Sequence, residues 1–277
     1  VGKTELAKAV ARFYSSSKRP QTYPMGNFTE HHSVSGIIGP PPGYHGHDAG
    51  GRLINDLLAD PHGVFLLDEG EKAHAEVWRP FLNLFDEGWI TDRRGVRAFG
   101  DRAIFIITTN AGHETIARMT AEAGSAAEIA EAVRGDLLAL RDPRSHEKVF
   151  PPEFLGRLQQ IVVFRPLDSG ALEGITRLMV DERRRHWRER LGKEVLIPEE
   201  LVEYIAELSH EANERAKQTE GARVVRRMIA GLVEDPLTRA MDRDRDAFES
   251  CTRIELDYPA PSDPPVAVRF QSEGEGP

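Results

Sequence analysis

The 277 residues contain a single cysteine, Cys251, so no internal disulfide can brace the fold and a reducing compartment, the cytoplasm, is the expected setting. No apolar run approaches the roughly 18 residues that a membrane-spanning helix needs, and no membrane partner is expected. A surplus of cations is missing too. Against 45 Asp and Glu stand 36 Lys and Arg, a net charge of −9, which argues against holding nucleic acid through bulk charge, although a local basic patch stays open. The first residues, VGKTELAKAV, lack a starting Met and a signal-peptide layout, as a soluble intracellular fragment would. What the chain does have is enough apolar content, 40% of residues, to bury a sizeable core, and a length that suggests two domains.

Strands and helices alternate at first. A helix is predicted over 5–14 with Leu6, Val10, Ala11 and Phe13 as its apolar stripe, then a strand within 22–28, then a loop over 39–47, where Gly and Pro exclude regular structure. A helix over 51–60 is followed by the continuous apolar run 64–67, which suits a strand buried on both faces of a parallel sheet. Helix is expected again over 75–86, and further buried strands over 103–107 and 161–164. This alternation points to an α/β fold with a parallel sheet and helices on both faces. After Pro166 the pattern turns helical over 172–191, 198–212 and 222–241, and residues 253–258 and 266–270 read as a closing β-hairpin. The expected domains are therefore 1–166, α/β, and 167–271, mostly helical, with a frayed tail over 272–277.

Three short motifs carry chemistry. Gly2-Lys3-Thr4 at the mouth of a helix matches the second half of the phosphate-binding loop G-x-x-x-x-G-K-[ST], in which backbone N–H groups and a lysine meet phosphate and a hydroxyl meets Mg²⁺. The chain begins inside that motif, so weak ATP affinity is expected of it alone, and an ordinary helix start is the alternative. Asp68 and Glu69 follow the apolar run at the carboxyl end of a strand, where open α/β sheets bind ligands. Asp68 is placed to hold Mg²⁺ and Glu69 to polarise an attacking water; an exposed acidic turn is the other reading. Asn110 closes the next strand and is placed to orient the same water, or is simply a turn residue.

In this order the motifs resemble those of the Clp/Hsp100 unfoldases, a branch of the AAA+ ATPases, and specifically their second ATPase module with its C-terminal small domain. The resemblance rests on SGIIGPPPGYHG, GGRL, DEGEKAH, GWITD and TTN, then on PPEFLGRLQQIVVFRPL and EGARVVRRMI. It implies an AAA+ P-loop NTPase large domain and cofactors ATP and Mg²⁺. Gly2, Lys3 and Thr4 fall on the P-loop, Asp68 and Glu69 on the Walker B pair, and Asn110 on sensor 1. Arg157 falls on the arginine finger, which in this family reaches into a neighbouring subunit's site, and Arg223 on sensor 2, which contacts phosphate. Tyr44 falls on the aromatic of the channel loop that grips extended polypeptide, and the hairpin over 89–99 is a second channel contact. Read without the motifs, both arginines are surface charges and Tyr44 is a ring tucked under a Pro-rich turn.

The resemblance also implies an ATP-hydrolysing unfoldase or disaggregase that threads unfolded or aggregated polypeptide through a homohexameric ring. The alternatives are disassembly of one specific complex, as in recycling of a secretion sheath, and an ATP-gated assembly switch that threads nothing. Residues 112–150 lack the Ile/Val-Gly-Phe/Leu tripeptide of peptidase-coupled members, so no ClpP-like peptidase is expected. The chain departs from the family at Gly36, His45, His47, Gly70 and Gly100-Asp101. His31, His32, His45 and His47 read as solvated loop histidines rather than metal ligands.

Overall fold

The computed structural model describes residues 2–216, 220–260 and 263–272. It divides into two compact units, 2–165 and 166–277.

The first unit opens with α1 (Lys3–Tyr14), β1 (Gln21–Pro24), α2 (Ser35–Ile38), α3 (Arg52–Ala59) and β2 (Val64–Asp68). It continues through α4 (Arg79–Glu87), the hairpin strands β3 (Trp89–Thr91) and β4 (Arg97–Phe99), β5 (Ile104–Ile107), α5 (His113–Ala121), α6 (Ala126–Ala139) and α7 (Pro152–Leu155). Strands β1, β2 and β5 form a parallel sheet in that order, with Leu66 between Thr22 and Ile106. Val64, Phe65, Leu66 and Leu67 are all 0% exposed, so both faces of the central strand are covered, as the unbroken apolar run predicts. Beneath the sheet, Trp78 packs on Phe81, Phe150 and Phe154, and Phe81 and Phe85 on Phe105.

Several local expectations are corrected. In α1 the buried residues are Ala7 and Ala11, whose small side chains let the helix lie against β2, while Leu6 and Phe13 are exposed. β1 stops at Pro24, which has no N–H to continue a ladder, and a 3-10 turn over Met25–Asn27 follows. The helix expected from residue 75 begins as a 3-10 turn and becomes α-helical only at Arg79, with Pro80 in its first turn. Residues 161–164 pair with no strand among the described residues and so add no further strand to the sheet, although Phe164 packs beside Gly2.

The glycines that depart from the family pattern have spatial causes. A Cβ on Gly70 would lie 2.9 Å from Ile107 and 3.3 Å from the Trp78 ring. One on Gly36 would lie 2.8 Å from Phe28, and one on Gly100 2.7 Å from Leu84. Each glycine makes room for a bulky neighbour, and the core stays closed.

In the second unit α8 (Ser169–Leu191) precedes β6 (Glu194–Leu196), α9 (Glu199–Arg215) and α10 (Ala222–Ile229). A π-helical turn (Ala230–Glu234), α11 (Asp235–Arg243), α12 (Arg245–Ser250), β7 (Arg253–Asp257) and β8 (Ala267–Gln271) complete it. The predicted hairpin is β7–β8, and β6 adds a parallel strand that the sequence reading omits. The helix expected over 222–241 is interrupted by the π turn. Pro236 follows it, and its ring cannot face the carbonyl four residues back, which widens the turn. Leu172, Val180, Leu201, Ile205, Val225 and Ile254 lie in this unit's own core. No helix among the described residues is long and apolar enough to cross a membrane. Of the expected tail, residues 273–277 lie outside the described residues.

Gly70→Val should destabilise the first unit by about 1–3 kcal/mol through overpacking, and pairing it with Trp78→Phe should recover part of the loss. Urea denaturation of the single and double variants checks this.

Candidate functional site

The site is built where β2 and β5 end. β2 delivers Asp68 at its carboxyl end, and the chain then turns at Glu69, whose φ of 59° and ψ of 50° are left-handed. For a residue other than glycine that conformation costs roughly 1–2 kcal/mol and persists only where the surroundings enforce it. Here Thr108, the first residue after β5, enforces it. Its buried hydroxyl donates to Asp68 Oδ1 and accepts the Glu69 N–H at 3.0 Å. Its N–H donates to the Leu67 carbonyl at 3.0 Å, and its carbonyl accepts the Gly70 N–H at 2.8 Å. Four hydrogen bonds through one threonine thus fix the direction of the two acidic residues.

α1 brings Lys3 to the same edge. Lys3 Nζ donates to the Thr109 carbonyl at 2.5 Å and to Asn110 Oδ1 at 2.6 Å, joining the start of α1 to the end of β5. Gly2, at φ 89°, forms the N-cap, no side chain caps this 12-residue helix, and its first intrahelical bond runs from the Leu6 N–H to the Gly2 carbonyl. The amides of the first turn therefore project beyond the helix end, with Thr4 in that turn. Asn110 N–H donates to Glu71 Oε1 at 3.2 Å, and Glu71 Oε2 is buried without a hydrogen-bond partner. Glu69 Oε2 accepts from Lys72 Nζ at 2.7 Å, a bond that holds the Lys72 ammonium above its ordinary pKa.

Lys3 and Asn110 are thus in contact, and Asp68 and Glu69 are tied to the same strand end through Thr108. Thr108, Glu71 and Lys72 are not among the residues singled out from the sequence. Their signals were present, in the first letter of TTN and inside DEGEKAH, but only the fold shows what they hold.

Arg157 is held elsewhere. Its guanidinium makes a two-pronged pair with Asp86 at the end of α4 and donates to the Glu153 carbonyl. This mutual hydrogen bonding raises the arginine's pKa and lowers that of Asp86. No hydrogen bond joins Arg157 to Lys3, Asp68, Glu69 or Asn110 among the described residues. Arg223, in the second unit, is the exposed second residue of α10. Its helix start is anchored by Gly221, whose N–H donates to Oδ1 of the buried Asn213 at 2.8 Å.

Tyr44 is 69% exposed, so the tucked-ring alternative is excluded. It sits in consecutive turns, its N–H on the Pro41 carbonyl and its carbonyl accepting the His47 N–H, each at 3.2 Å. Gly43 and Gly46 flank it at φ 84°, both in open space, so the turn needs glycine for its backbone and not for room. His45 is exposed, while His47 is partly buried with Nδ1 3.0 Å from the Pro40 carbonyl. On the β3–β4 hairpin the Arg97 guanidinium lies 3.8 Å above the Trp89 ring, and Phe99 is 58% exposed.

Residues 1–161 match the family model of the AAA domain (Cdc48 subfamily). The chain belongs to the Clp/Hsp100 AAA+ family. It is similar to the chaperone protein ClpB2, chloroplastic, of Oryza sativa subsp. japonica, at 33% identity over 95% of this chain and 26% of that protein. It is also similar to the chaperone protein ClpB of Rhodopirellula baltica, at 34% identity over 93% of this chain and 27% of that protein. Among solved structures it matches the closed-state cryo-EM reconstruction of Hsp104 with ATPγS and FITC casein, with a TM-score of 0.76 and 26% identity, covering 99% of this chain and 44% of that one. The chain spans about a quarter of the length of these curated relatives. Membership in this ATPase family implies nucleotide binding.

Thr108→Val should cost about 1–3 kcal/mol by leaving the partly buried Glu69 N–H unpaired. Thr108→Ser keeps the hydroxyl and should stay within about 1 kcal/mol of wild type. Urea denaturation of both variants tests the assignment.

Proposed function

We propose that the chain is the second ATPase module of a disaggregase-type chaperone, which hydrolyses ATP in a homohexameric ring and draws polypeptide through the central channel. The observation that carries this reading is the exposed Tyr44 between Gly43 and Gly46, on the unit whose sheet edge gathers Lys3, Asp68, Glu69 and Asn110. A broad amphipathic ring on a glycine-flanked turn holds many side chains without reading sequence, as a threading motor requires.

The residues present fit ATP and Mg²⁺. The uncapped N-terminus of α1 offers backbone amides to phosphate, and Lys3 offers a cation. Thr4 and Asp68 are the hard oxygen donors that Mg²⁺ takes, and the metal when bound neutralises charge developing on the transferred phosphoryl group. Thr108 fixes the direction of Asp68 and Glu69 through its hydrogen bonds. Glu69, once released from Lys72, acts on the attacking water, and Asn110 orients it. Arg157 leaves Asp86 to enter the neighbouring subunit's site, and Arg223 takes the sensor-2 role. A site finished by an arginine in trans favours head-to-tail contacts that close into a ring. The buried Cys251, without a disulfide partner, suits the cytoplasm.

The test compares Tyr44→Ala with wild type in the full-length protein, following unfolding of a fluorescent folded reporter and ATP turnover together. Reporter unfolded per ATP hydrolysed should fall about ten-fold or more in the variant. Equal unfolding per ATP in both proteins would contradict threading by Tyr44. A wild type that hydrolyses ATP and unfolds nothing would favour the ATP-gated switch.

A further inference from the structure

One side chain, Arg94, fastens the loop that carries Tyr44 to the β3–β4 hairpin. Its Nε donates to Asp92 Oδ2 at 2.8 Å and its Nη1 to the Asp48 carbonyl at 2.8 Å, while Nη2 reaches Asn55 Oδ1 at 3.5 Å. The Asp92 side chain is 0% exposed. Its Oδ1 accepts the N–H groups of Arg94 and Val96, each at 2.9 Å, which holds the hairpin turn closed. Burial alone would raise the Asp92 pKa, but the Arg94 guanidinium and the two amides outweigh it and hold the carboxyl below its ordinary value.

The contact between the two segments is close. A Cβ on Gly50 would stand 2.1 Å from Arg94 Nη2, so the guanidinium lies directly on the backbone there. Two further bonds run alongside: the Arg93 N–H donates to the Ile38 carbonyl at 3.1 Å, and Asn55 Nδ2 to the Ala49 carbonyl at 2.9 Å. The segment following Tyr44 is therefore clamped to the hairpin and to α3, while Gly43 and Gly46 are left in open space.

A guanidinium suits this place because its planar fork presents donors in several fixed directions at once, to a carboxylate, a carbonyl and an amide oxygen; an ammonium is a single point. A gripping ring is only as effective as the shell that holds its loop, since force on a loose loop is lost in deforming it. We propose that Arg94 is a positioning residue that locks the base of the Tyr44 loop to the β3–β4 hairpin, so that the two loops move along the polypeptide as one body. This rests on the threading function proposed above.

The test uses the full-length protein with Arg94→Ala, Arg94→Lys, Tyr44→Ala and the Arg94→Ala/Tyr44→Ala double variant. Hydrogen exchange is read at the Ala49 and Gly50 amides, which bond to the Gly46 and His47 carbonyls at 3.1 and 3.0 Å. Arg94→Ala should speed exchange there by about ten-fold or more and leave the β2 amides unchanged. Reporter unfolded per ATP should fall several-fold in Arg94→Ala and less in Arg94→Lys, which keeps the pair with Asp92. The double variant should be no worse than Tyr44→Ala, because both changes act on one grip.

Unchanged exchange at Ala49 and Gly50 would overturn the proposal. So would faster exchange with undiminished unfolding per ATP, or losses that add in the double variant. If wild type unfolds no polypeptide, the threading function fails, and exchange at these two amides alone then decides whether Arg94 positions the loop.

Discussion

The site depends on one hydroxyl. Thr108 spans the ends of two adjacent parallel strands, donating to the carboxylate that ends one and accepting from the left-handed residue that follows it. Parallel strands place their carboxyl ends on one edge of the sheet, and α/β folds bind ligands there. The edge alone does not aim side chains, however. Glu69 stays in a conformation that costs it energy because its neighbours on both sides are bonded to Thr108. Lys3 then reaches the next two residues of the same strand end, so residues far apart in sequence meet within one turn of Thr108.

The same economy appears in the loops that face outward. Asp92 is buried as a carboxylate, and such a group must be neutralised and hydrogen-bonded or it destabilises the fold. Arg94 meets that need, and its remaining donors bind the neighbouring loop. One partner thus serves both the stability of the hairpin and the placement of the Tyr44 loop. Arg157 shows the contrasting case. Its pair with Asp86 is partly exposed, so separation exposes no deeply buried charge and the arginine can be given up to another partner.

Much of this was legible in the sequence where one strong physical demand acts on a run of residues. β2 had to be apolar throughout because both of its faces are covered, and Asp68 and Glu69 stand out because they end that run. The loop over 39–47 was legible from Gly and Pro, and the β7–β8 hairpin from alternation. The reading failed where a residue answers to distant neighbours. The buried face of α1 is its alanines, because the sheet approaches closely, and large apolar residues elsewhere on the helix misled the pattern. Gly36, Gly70 and Gly100 stood in the sequence only as departures from the family pattern, whereas in the fold each yields space to Phe28, Trp78 or Leu84. Helices α5 and α6 and strand β6 passed unnoticed: α5 buries none of its residues and β6 is only three residues long. Thr108, Asp86 and Arg94 carried no periodic signal, since their roles exist only across contacts distant in sequence.

In the proposed function the strand edge organised by Thr108 is an ATP-hydrolysing site in which Glu69 acts on water while Lys3 and Asp68 serve binding. The decisive measurement is Glu69→Gln in the full-length protein, with nucleotide affinity read by calorimetry beside steady-state ATP turnover. Affinity should stay close to wild type and turnover should fall by about a hundred-fold or more, the scale of a lost general base. Turnover that survives the substitution would contradict that role for Glu69.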